Sequence, residues 1–221
     1  MPIEAVIFDL DGVIVSTDGL HYQGWQRLAD EEGIYFDREI NERLRGVSRM
    51  ESLEILLERA DRTYSAKEKQ EMADRKNGYY CKFLHERLGP NDILPGVMEF
   101  LAELRRRGIA MAIGSSSRNS PTILEAIGMA DYFDATADGN DISRSKPDPE
   151  VFLLAARRLG KRPEACLVVE DAEAGVTAAL GGGMAVLAVG FASQDSRATL
   201  SAPDLASITV ERILSFSLES A

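Results

Sequence analysis

The sequence predicts an α/β protein: a parallel β-sheet layered with helices, carrying a helical cap inserted after the first strand. Three observations predict it. Short apolar, β-rich runs at 5–8, 109–113, 166–169 and 185–189 alternate with amphipathic helical patterns, the rhythm of βαβ units. Those runs are continuous rather than alternating, which fits a sheet covered on both faces. From Thr17 to Leu88 the rhythm stops, and only helical patterns remain.

The first run ends in two acids, Asp9 and Asp11, within the stretch VIFDLDGVIVSTDGLHYQGW. Carboxylates at the edge of a buried strand are unfavourable unless a metal, a partner or a reaction compensates them. Four helical patterns follow, at 20–32, 39–44, 50–59 and 67–87. Ser48 with Glu51, and Ser65 with Glu68, have the spacing of a capping box. With Ser48 as N-cap, Arg49 stands at a helix start, where dipole and guanidinium both favour an anion. A helix over 97–107 then leads to the second strand, which ends in Gly114-Ser115-Ser116-Ser117-Arg118-Asn119. Ser120-Pro121 reads as an N-cap with proline at the first position of a helix over 121–127. Ser145-Lys146-Pro147-Asp148 precedes a helix over 150–159, and Glu170-Asp171 follows the 166–169 strand. A helix over 172–180 stops at the glycines 181–183. No internal repeat and no low-complexity segment interrupts this order, which divides the chain into a core, 1–16 and 89–221, and a cap, 17–88.

A chain of 221 residues with 45% hydrophobic and 28% charged residues can bury one good core with a satellite. The net charge of −11 speaks against nucleic acid or an anionic membrane as partner. An anionic substrate must then be drawn in by local cations or a metal. No apolar run reaches the length of a membrane span, and the N-terminus lacks a basic region of the signal-peptide kind. Cys81 and Cys166 lie far apart, on a helical face and in a strand, so a reduced cytoplasmic protein is expected.

In open parallel sheets ligands bind beyond the carboxyl ends of the strands. Asp9, Asp11, Glu170, Asp171, Lys146 and the serine loop all fall there. Asp9, Glu170 and Asp171 form an oxygen-ligand set of the kind that holds Mg²⁺. The serine loop before a helix suits a phosphate, and Lys146 can offset a phosphoryl charge.

FDLDGV, GSSSRN, SKPDP and VVEDAEAG together resemble the four motifs of the haloacid dehalogenase superfamily of phosphotransferases. The resemblance implies a Rossmann-like core and an aspartyl-phosphate mechanism, with Asp9 as nucleophile and Asp11 as general acid/base. It implies Mg²⁺ held by Asp9, Glu170, Asp171 and the Asp11 backbone carbonyl, and a transferring phosphoryl group held by Ser115 and Lys146. LHYQGW, NERLRGVSRMESL and DRKNGYY resemble the cap of the β-phosphoglucomutase family, an isomerase group within that superfamily. This likeness makes Thr17 a hinge residue and puts His21 near Asp11. It gathers Trp25, Arg45, Gly46, Arg49 and Lys76 around a sugar phosphate, with Ser117, Arg118 and Asn119 on the core side. By helical spacing alone Trp25, Tyr79 and Tyr80 read as core, and His85 as surface.

The sequence departs from the pattern at Ser16, where an acid is common, with Asp18 two residues on. It also departs at Arg45 and Arg118, where lysine is usual, and the two cations differ at a phosphate. The expected reaction interconverts β-glucose 1-phosphate and glucose 6-phosphate in a monomeric enzyme. The alternatives are a Mg²⁺-dependent sugar-phosphate phosphatase and a non-catalytic phosphate-binding relative.

Overall fold

The computed structural model describes residues 2–44 and 47–215. The first strand, β1 (Ala5–Phe8), leads into α1 (Asp18–Glu32), α2 (Arg38–Glu42), α3 (Arg49–Leu57) and α4 (Ala66–Arg87). Then come α5 (Val97–Arg106), β2 (Ala110–Gly114), α6 (Ser120–Ala126), β3 (Ala135–Ala137) and α7 (Glu150–Arg158). The chain closes with β4 (Cys166–Glu170), α8 (Glu173–Gly181), β5 (Ala185–Ala188), β6 (Leu200–Ser201) and α9 (Val210–Leu214).

The sheet runs β3-β2-β1-β4-β5-β6, and every pairing is parallel. The chain order reverses between β1 and β4, which is where open α/β sheets form their crevice. Side chains alternate between two buried faces. Val6, Phe8, Met111, Ile113, Leu167 and Val169 join the cluster under α5, while Ala5, Ile7, Ala112, Cys166 and Val168 join the one under α7 and α8. Burial on both faces is what the continuous apolar runs predicted.

Helices α1 to α4 carry their own apolar cluster, built on Trp25, Leu28, Leu53, Leu56 and Met72. Both capping boxes form: Ser48 and Ser65 each accept from the backbone N–H three residues on, and Glu51 and Glu68 reach back. The last turns of α4 leave that cluster, because Tyr80 and Leu84 pack with the sheet. The two connections to the helical block run side by side, with Leu94 N–H donating to the Ile14 carbonyl at 2.9 Å.

Some details differ from the sequence reading. Asn119, not Ser120, takes the N-cap position of α6, and the Ser120 hydroxyl instead donates to the Ser117 carbonyl at 2.9 Å. Tyr79 is not core: its hydroxyl donates to Glu31 and its ring lies 3.9 Å under the Arg27 guanidinium. β3, β6 and α9 come from stretches too short or too weakly apolar to give a periodic signal. Among the described residues no helix is long and apolar enough to cross a membrane.

Candidate active site

The carboxyl ends of β1 and β4 bring the acids together. Asp9, Glu170 and Asp171 are buried and each offers a ligand oxygen, all within 4.8 Å of one another. Lys146, also buried, donates to Asp9 Oδ1 at 2.5 Å and to Glu170 Oε2 at 2.7 Å. The other oxygen of Glu170 accepts from the N–H groups of Asp171 and Ala172. Two glycines permit this crowding. A Cβ on Gly12, whose φ is +88°, would lie 2.1 Å from Asp171 Oδ2, and one on Gly175 would lie 1.9 Å from Glu170 Oε2.

The charges do not balance. Burial, opposed by Lys146 and reinforced by Glu170, pushes the Asp9 carboxyl up to about 7. Burial, Glu170 and Asp9 push Asp171 up to about 9. Burial alone would discharge Lys146, but Asp9 and Glu170 overrule it and hold its ammonium above the ordinary lysine value. Three carboxylates against one ammonium leave an excess that a hard dication fits, with oxygen donors of the right type.

The serine loop lies beside this group. Ser115 is buried, its hydroxyl accepting from Ser117 N–H, and the Ser117 hydroxyl accepts from Asn119 N–H, both at 3.2 Å. Lys146 N–H donates to the Ser116 hydroxyl, which ties the SKPDP segment to the loop. Arg118 is exposed and braced on the Gly139 carbonyl.

The helical side meets Asp11 through Thr17. Asp11 accepts from Thr17 N–H at 2.7 Å and from the Thr17 hydroxyl at 2.6 Å, and that hydroxyl is 2.8 Å from Tyr80 Oη. His21 Nε2 stands 3.8 Å from Asp11 Oδ2, and the imidazole stacks on Tyr80. Lys76 Nζ is 2.8 Å from His21 Nδ1 and lies between the rings of Trp25 and Tyr80. Burial, Lys76 and Arg49 hold His21 well below the usual histidine value, which favours the neutral imidazole beside Lys76. Burial, then Arg49, brings Lys76 down to about 7. Arg49, half-buried on α3, is held below the ordinary arginine value by burial and then by Arg118. Arg49 and Arg118 both line the cavity, one from the helical side and one from the sheet side.

A cavity of about 700 Å³ joins these groups. Its walls include Asp9, Asp11, His21, Trp25, Arg49, Lys76, Ser115, Ser117, Arg118, Asn119, Lys146, Glu170 and Asp171. Ser16 and Asp18 line it as well. Thr17 does not, being fully buried behind Asp11. Arg45 and Gly46 fall outside the described residues. Trp25 is both: 2% exposed in the helical cluster, with an edge on the cavity. Sequence reasoning missed Tyr80 and Asn77 as site neighbours. The available signal was position on α4, since Lys76 and Tyr80 are four apart and share a face.

Residues 3–183 match the haloacid dehalogenase-like hydrolase family. The chain is 44% identical over 190 residues to a β-phosphoglucomutase of Bacillus subtilis, covering 85% of this chain and 84% of the relative. It is 32% identical over 216 residues to a phosphatase of phosphorylated carbohydrates from Thermotoga maritima, covering 96% and 97%. A crystal structure of β-phosphoglucomutase from Clostridium difficile superposes with a TM-score of 0.89 at 39% identity, covering 96% of this chain and 95% of that one.

Proposed function

The chain belongs to the haloacid dehalogenase-like hydrolase family, and we propose that its reaction is the interconversion of β-glucose 1-phosphate and glucose 6-phosphate. It acts as an isomerase of the phosphoglucomutase type. Asp9 attacks phosphorus and becomes an aspartyl phosphate; Asp11 gives and takes the proton at the sugar oxygen. Ser115 and Lys146 hold the transferring group. Asp9, Glu170, Asp171 and the Asp11 backbone carbonyl hold Mg²⁺, which offsets the repulsion between carboxylate and phosphoryl oxygens when bound. Arg49, on the cap side, receives the phosphate that is not reacting, opposite Ser117, Arg118 and Asn119. His21 and Lys76 face the sugar beside Asp11, and Trp25 backs Lys76.

One observation carries the mutase reading. Lys146 and Ser115 line the cavity beside Asp9, and Arg49 and Arg118 line it from the helical and the sheet side, which supports one place for the transferring phosphoryl group and a second cationic place for another phosphate. A bisphosphate needs both, and an anion between two guanidinium groups relieves their repulsion. The likeness to the Thermotoga phosphatase favours a second reading, release of phosphate to water from the same aspartyl phosphate. Cap closure over Asp9 separates the two, because it excludes water.

We take residues 17–88 as the cap and 1–16 with 89–221 as the core. The side-by-side connections at Ile14 and Leu94 support this division, since a small rotation there would carry the helices as a block. A monomeric, cytoplasmic enzyme acting on a small sugar phosphate is the accompanying reading. The test supplies β-glucose 1-phosphate, Mg²⁺ and a trace of bisphosphate primer, and compares glucose 6-phosphate with free phosphate. Glucose 6-phosphate in excess is the expected result; free phosphate alone makes the protein a phosphatase.

A further inference from the structure

The side-chain amide of Asn119 is engaged at both ends by α4. Its Nδ2 donates to Asn77 Oδ1 at 3.0 Å, and its Oδ1 accepts from Cys81 Sγ at 3.5 Å. Asn77 and Cys81 are four residues apart, so they share a face of the helix. Asn119 stands on the core, at the end of the serine loop, and its side chain makes no cap bond to α6.

An amide can receive an anion only through its N–H₂ end; turned over, it presents an oxygen that repels one. The two orientations of an unconstrained asparagine differ little in shape, so hydrogen-bond partners decide between them. Here an acceptor meets the nitrogen and a thiol donor meets the oxygen. One N–H of Nδ2 is used by Asn77, and the second remains for a ligand.

We propose that Asn77 and Cys81 are positioning residues for the non-reacting phosphate: they set the Asn119 amide for anion binding and tie that setting to the seat of α4 on the serine loop. The amide is then correctly set only while the cap helix is in place. This rests on the reading of Asn119 as a ligand of the second anion.

The test measures KM and kcat for β-glucose 1-phosphate, read as isomer formed plus phosphate released, so that a phosphatase would also report. Phosphorylation of Asp9 by acetyl phosphate, which carries no second phosphate, controls for folding and for the nucleophile. Asn77→Leu keeps size and removes the acceptor, and should raise KM about fivefold with kcat within about twofold, the effect of one neutral hydrogen bond. Cys81→Ala should raise it less, since a thiol is a weak donor. Cys81→Ser retains a donor and adds no charge, and should stay near wild type. In an Asn119→Ala background neither Asn77→Leu nor Cys81→Ala should add anything. If Asn119→Ala raises KM and Asn77→Leu does not, the positioning role is wrong while the second-anion reading stands. If Asn77→Leu acts equally with and without Asn119, its role is structural and the proposal fails. An unchanged KM in Asn119→Ala removes the reading and the proposal together.

Discussion

At Asp9 two demands meet: a nucleophile must be ionised, yet this carboxyl is buried among acids. Lys146 answers part of that, but it also pairs with Glu170. Asp9→Asn keeps the shape and removes the attacking oxygen anion, so turnover should vanish and acetyl phosphate should leave no aspartyl phosphate. Lys146 stays paired with Glu170, so the variant should melt no lower than wild type; a tenth of the wild-type rate would end the covalent mechanism. The same crowding predicts a pH dependence. Asp9 and Asp171 sit at about 7 and about 9 in the folded, metal-free protein, above the ordinary 3.8. The folded state therefore holds more protons than the unfolded one across that range, and stability is lost as pH rises from about 4 towards those values. A dication binds the deprotonated carboxylates, so its stabilisation must grow over the same range. Thermal unfolding with Mg²⁺ and with chelator should show a larger gain in Tm at pH 8 than at pH 6. Equal gains at both would mean that these carboxylates are not the ligands.

At the scale of the element, the acids are where they are because β1 and β4 are neighbours and α8 starts immediately beyond β4. α8 approaches Glu170 so closely that only a hydrogen fits at position 175. Gly175→Ala should destabilise by about 1–3 kcal/mol through overpacking. It should also weaken Mg²⁺ binding, because Glu170 must move; titration of Mg²⁺ with unfolding as readout checks both, and unchanged affinity would separate the glycine from the site. Much of this was legible. β1 was readable as a four-residue apolar run, the acids and serines because each follows a readable strand, and Lys146 because it precedes a readable helix. The starts of α3 and α4 were readable from their capping boxes. What escaped depends on neighbours distant in sequence. β3 (Ala-Thr-Ala) and β6 (Leu-Ser) are strands because a partner lies alongside, with no pattern of their own. Tyr80 meets Thr17 across 63 positions, and no local periodicity encodes that hydroxyl contact.

Across the whole molecule, a protein of net charge −11 concentrates cations at one cleft: Lys146 and Arg118 on the sheet side, Arg49 and Lys76 on the helical side. Local fields of this kind, not the net charge, receive an anion. The arrangement also makes the fate of the aspartyl phosphate a matter of how the two walls come together. If Arg49 grips the non-reacting phosphate, it draws the cap over Asp9 and keeps water out while the sugar turns over. Arg49→Ala removes a fork of charge-assisted bonds, typically about 1.5–3 kcal/mol for each bond to a charged group. Formation of glucose 6-phosphate should then fall by about an order of magnitude or more, while attack by water on the aspartyl phosphate should hold or increase. Free phosphate should therefore rise relative to glucose 6-phosphate in a primed assay. A phosphatase in which Arg49 is merely part of the surface would show the same ratio before and after the substitution. That outcome would withdraw Arg49 from the mechanism, and with it the reason to expect two phosphates in one cavity.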